Sequence, residues 1–93
     1  MRNIAYGSTA ILVSDDVADA LIHYAAILAM THTSDLVVVP TVDDAGLAAE
    51  ATVLLSSGVP LASVHAPEDA LAQAAPGFVA DLTDRVQAAL AGR

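Results

Sequence analysis

The chain has 93 residues, 56% of them hydrophobic and 15% charged, with no cysteine, no lysine and a net charge of -8 at pH 7. That length holds one domain, and a domain of this size buries only about 60% of the surface of its unfolded chain. With Arg2, Arg85 and Arg93 as the only strong bases, nucleic acid and anionic membranes are excluded as partners, because phosphate binding needs clustered Lys or Arg; the missing cysteines exclude disulfides, thiol catalysis and thiolate metal sites.

The mean hydropathy is +0.63, which implies more apolar surface than one thin core absorbs. A homodimer or other homo-oligomer is therefore expected, since large oligomeric interfaces resemble a core cut in half. Charge far from zero keeps such a chain dispersed. No signal-peptide pattern precedes Asp15, and a cytoplasmic location is expected.

Asn3 to Val13 alternates as two short strands on either side of Gly7-Ser8, and glycine at the first central position suits a type II′ hairpin turn. A phosphate loop would need further glycines, a lysine and a helix directly behind it. Ser14, Asp15 and Asp16 then open a helix, as acceptors for its free N–H groups and as negative charge at its positive end.

That helix, VADALIHYAAILAM from Val17 to Met30, is apolar around well over half of its circumference. At about 100° per residue, Val17, Ala20, Leu21, Tyr24, Ile27 and Leu28 form a bulky face. Ala18, Ile22, Ala25 and Ala29 form a face of smaller residues beside it, the candidate interface if no other element covers it. Asp16, Asp19 and His23 make the polar stripe. The run is short of the roughly 20 apolar residues that span a bilayer, so a soluble helix covered from two directions is expected. His32 follows where a cation suits the helix end.

Asp35 to Val42 reads as a strand with Pro40 at an edge or bulge. After Asp43-Asp44-Ala45-Gly46, one reading is a hairpin in which Leu47, Ala49, Ala51, Val53 and Leu55 alternate inward. The other is a helix with Leu47, Ala51, Leu54 and Leu55 on one face. The alternation and the turn residues favour the strand, against an alanine content that favours the helix. A short strand around Leu61 to Val64 follows, then a helix entry at Pro67, Glu68 and Asp69 and an Ala-rich turn or helix. The last helix places Phe78, Leu82, Val86, Ala89 and Leu90 on one face and pairs Asp81 with Arg85 at i, i+4.

The element order is thus β-β-α-β-β-β-α, an α+β fold with an antiparallel sheet packed against a central buried helix and a C-terminal helix. The helical reading of 47–55 would give an α/β chain, βαβαβα.

The IAYGS turn, the SDDVADAL helix start and the SDLVVVPTVDDAG segment resemble a group of small uncharacterised actinobacterial proteins. The resemblance covers most of the chain and implies an α+β fold, with no activity attached. The segment DDAGLAAE, Asp43 to Glu50, is similar to the phosphorylation loop of STAS domains, where an Asp-Ser-x-Gly-Leu segment opens a helix. It implies a regulatory protein, although Asp44 stands where that family carries its phosphorylated serine.

Catalytic constellations are sparse. No serine lies in a G-x-S-x-G elbow, and His23, His32 and His65 lack metal-ligand spacing on one helix. The weak metal candidates are His65, Glu68 and Asp69, whose bland reading is a strand end followed by a helix cap. No cofactor is expected. The leading expectation is a non-enzymatic module that self-associates or binds a protein partner; the alternative is a small-molecule or metal-binding domain.

Overall fold

A computed structural model describes residues 1–6, 9–43, 45–56, 61–65 and 75–91. Five strands and two helices follow one another as β1 (Arg2–Tyr6), β2 (Thr9–Val13), α1 (Asp15–Thr31), β3 (Ser34–Val42), β4 (Ala48–Ser56), β5 (Leu61–His65) and α2 (Pro76–Ala91). This is the α+β order expected from the hydrophobic periods, and 48–55 belongs to a strand. The glycine turn at 7–8 and the helix entry at 67–75, apart from Ala75, lie outside the described residues.

The strands form a three-stranded sheet in the order β2-β1-β5 and a two-stranded sheet of β3 and β4, all neighbours antiparallel. The expected single sheet is divided between β2 and β3. Pro40 lies in β3 opposite Glu50 of β4, and proline has no N–H to give to a ladder. β3 instead meets β2 through a side chain, the Thr41 hydroxyl donating to the Leu12 carbonyl at 2.6 Å.

The two faces of the strands differ. Toward α1, Ile4 stands opposite Ile11, and Val37, Val39 and Leu55 line the hairpin; all are buried in one cluster with Val13, Val17, Ala18, Leu21, Tyr24, Ile27, Leu28, Leu82 and Val86. Leu47, expected on this inner face, is exposed because it belongs to the β3–β4 turn rather than to the strand. The molecule measures 42 × 27 × 20 Å. Among the described residues no helix covers the face of the strands away from α1, where Leu36, Val38, Leu54 and Val64 stay exposed.

Helix α1 begins at Ser14, but the Ser14 hydroxyl makes no bond to the backbone. It donates to the Asp16 carboxylate instead, and that carboxylate accepts the Val17 N–H at 3.0 Å. The capping acceptor is therefore Asp16, and the Ser14 hydroxyl followed by that N–H holds its carboxyl below the usual value. At the far end His32 adopts φ 54, ψ 42, a left-handed position that glycine occupies at no cost. The β3–β4 turn is fastened by Asp43, whose side chain accepts the N–H groups of Ala45 and Leu47, each at 2.9 Å. Gly46 takes φ 80 within it. No helix among the described residues is long and apolar enough to cross a membrane.

His32→Gly is expected to stabilise the fold by about 0.5–1 kcal/mol, and Gly46→Ala to destabilise it by about 1 kcal/mol. In a domain of this length each kcal/mol moves the melting temperature by about 4–8 °C, so a pair of thermal melts with opposite signs checks both left-handed positions.

Candidate functional site

The polar chemistry of the interior converges at the start of β3. Tyr24 projects from the bulky face of α1, and its hydroxyl donates to Asp35 Oδ2 at 2.6 Å. Arg85 of α2 donates to the same oxygen at 2.9 Å and to the Leu36 carbonyl at 3.2 Å. Its other terminal nitrogen meets Asp81 at 3.0 Å, the i, i+4 pair expected from the sequence. One carboxylate thus joins both helices to the hairpin.

Burial and then the hydrogen bond to Asp35 push the Tyr24 phenol up to about 12. For Asp35, burial acts upward, but the Tyr24 hydroxyl and the Arg85 charge together outweigh it and hold the carboxyl below its ordinary value. Tyr24, Asp35 and Arg85 are all shifted away from neutral pH, the opposite of what general acid–base work requires. The cluster is a fastening. Asp35 and Arg85 were both visible as charges in the sequence, but nothing in their spacing, fifty positions apart, signals that they meet.

Beside it, between α1 and α2, a cavity of about 180 Å³ is lined by Ala20, His23, Leu82, Thr83, Val86 and Gln87. Small-molecule sites run to about 300–1,000 Å³ with several convergent polar groups, which this cavity does not offer. His23 and Asp19 are exposed, and no ion pair joins them.

Of the metal candidates, His65 ends β5 opposite Arg2, while Glu68, Asp69 and the side-chain surroundings of His65 lie outside the described residues. Among the described residues no group of three potential ligands comes together. Of the four small-face positions, Ala18 is fully buried within the chain's own core, Ile22 and Ala25 pack partly against it, and Ala29 is exposed. The segment after Asp43 continues as β4 rather than opening a helix, unlike the STAS loop it resembles.

The uncovered surface lies on the opposite side of the strands. On the hairpin, Leu36 faces Leu54 and Val38 faces Thr52; Leu36 is 61% exposed, Val38 49% and Leu54 46%. On the three-stranded sheet the same side carries Ala5, Ala10, Leu12, Ala62 and Val64, the last 54% exposed. A sheet with one solvated face normally alternates apolar-in with polar-out. Here, among the described residues, Asn3, Ser34, Glu50, Thr52 and Ser56 are the polar residues on the outer side. The sequence contained this signal in Leu36, Val38 and Leu54, which fall at the alternate positions to the core residues. Compared with family models, with curated proteins and with solved structures, the chain matches none.

The sign of the pH dependence follows from the two shifted groups. Asp35 ionises more readily folded than unfolded, so its contribution is present above about pH 4 and is lost as pH falls through its lower folded value. The Tyr24 contribution is whole below about pH 10 and is lost as pH rises through about 12. Tyr24→Phe is expected to cost about 1 kcal/mol at pH 7, a hydrogen bond to a charged group discounted because Asp35 and Arg85 are about one-third exposed. The gap between thermal melts of wild type and variant should be widest at neutral pH and narrow as pH falls below about 4; a gap that does not narrow would detach the effect from Asp35.

Proposed function

We propose that this chain is a non-enzymatic, cytoplasmic protein-interaction module that self-associates. The observation that carries the reading is the outer side of the strands, where four large apolar side chains, Leu36, Val38, Leu54 and Val64, stand about half exposed. Contiguous apolar patches beyond a few hundred Å² are rare on monomers and mark interaction surfaces. The excess of apolar residues in the composition points the same way, since the inner cluster is already filled by α1 and α2. The polar groups that do converge, Tyr24, Asp35 and Arg85, are spent on one another, which is the pattern of a structural tie.

Sedimentation equilibrium across the micromolar range is expected to give a mass above the 9.4 kDa monomer. A mass that stays at the monomer value over that range overturns self-association.

A further inference from the structure

We propose that the occupant of the outer sheet face is a second copy of this chain, packed face to face about a two-fold axis. The inference rests on the self-association reading and adds its surface and symmetry.

Charge selects the copy over other partners. Two molecules of net charge -8 repel one another, so they can meet closely only where their acids are absent. Asp15, Asp16, Asp19, Asp81 and Asp84 lie on the helices and Asp43 in the hairpin turn, while Asp35 turns inward to Tyr24. Among the described residues, Glu50 is the single carboxylate on the outer side of the strands, and that side carries no base. A surface with one carboxylate and no base among the described residues offers little to a strongly basic or acidic partner, and a two-fold contact brings only the two Glu50 side chains to it.

The size also fits. At about 3.4 Å per residue and 4.8 Å between strands, the outer side of the five strands spans roughly 500 Å² in flat projection, before side-chain relief is counted. A standard interface buries about 800 Å² of accessible surface per partner, of which the flat face supplies roughly two-thirds and side-chain relief the remainder. A two-fold contact uses the same patch on both molecules, and two inner-facing sheet surfaces pack about 10 Å apart with side chains interdigitated. The Leu36–Leu54 cross-strand pair, with Val38 beside it, supplies the apolar ridge that such packing needs.

The test is sedimentation of the full chain beside Leu36→Asp and, as a control on the exposed end of the small helix face, Ala29→Asp. Leu36→Asp places two carboxylates in the symmetric contact and is expected to weaken the dimer at least about a hundredfold, with Ala29→Asp unchanged. A dimer that survives Leu36→Asp overturns the sheet-face contact and leaves self-association standing. A wild type that is monomeric throughout overturns both. Wild-type methyl NMR with a soluble paramagnetic agent reads the same surface without a variant: the Leu36, Val38, Leu54 and Val64 methyls are expected to be shielded while Met30 and Leu90, exposed on the helices, are bleached. Equal bleaching of both groups in a sample of dimer mass overturns the proposal.

Discussion

Everything in this fold answers to the burial of α1. The helix hides Val17, Ala18, Leu21, Tyr24, Ile27 and Leu28, an arc of about half its circumference at about 100° per residue, which one flat layer cannot cover. The strands take one side, with Ile4, Ile11, Val13, Val37, Val39 and Leu55 in the same cluster, and Leu82 and Val86 of α2 close another. Because both covering layers lie against this one helix, no described helix is left to pack on the other side of the strands. The apolar outer face is thus a consequence of how the core is closed.

Tyr24 shows how a polar group is admitted to such a core. Its ring belongs to the apolar arc and its hydroxyl must find a partner, as a buried phenol generally does. Asp35 provides one at the position where β3 leaves the turn after α1, and Arg85 neutralises the carboxylate from α2. The pair is partly open to water, so desolvation is modest and the attraction is correspondingly screened. Its value lies in fixing where α2 sits along α1 and β3.

Most of the fold was legible in the sequence because its signals are local. Alternation defined the strands, the 3.6 period defined both helices, and Asp43 with Gly46 marked the turn that favoured a strand for the segment that follows, observed as β4. What could not be read was anything that depends on distant residues meeting. The division between the two sheets arises from how β2 and β3 approach, and the choice of covering elements for Ala18 was invisible from its wheel position alone. The small helix face therefore looked free, whereas the fold uses Ala18 fully and Ile22 and Ala25 in part. For the candidate surface the inner alternate positions were read from the strands, while Leu36 and Leu54, one residue out of phase with them, are the outward complement that completes the pattern.

The gap between β2 and β3 also bears on how the chain reaches this state. Each hairpin pairs residues close in sequence, Tyr6 with Thr9 and Val42 with Ala48, so each closes a small loop and can form on the microsecond scale typical of hairpins. β5 is different: Arg2 pairs with His65 and Tyr6 with Leu61, contacts that must span most of the chain. Such non-local pairing raises contact order and slows folding. Two fast local units joined at their seam by the Thr41 hydroxyl, with β5 arriving late, would leave the free edge of β1 open during synthesis until residues 61–65 have emerged.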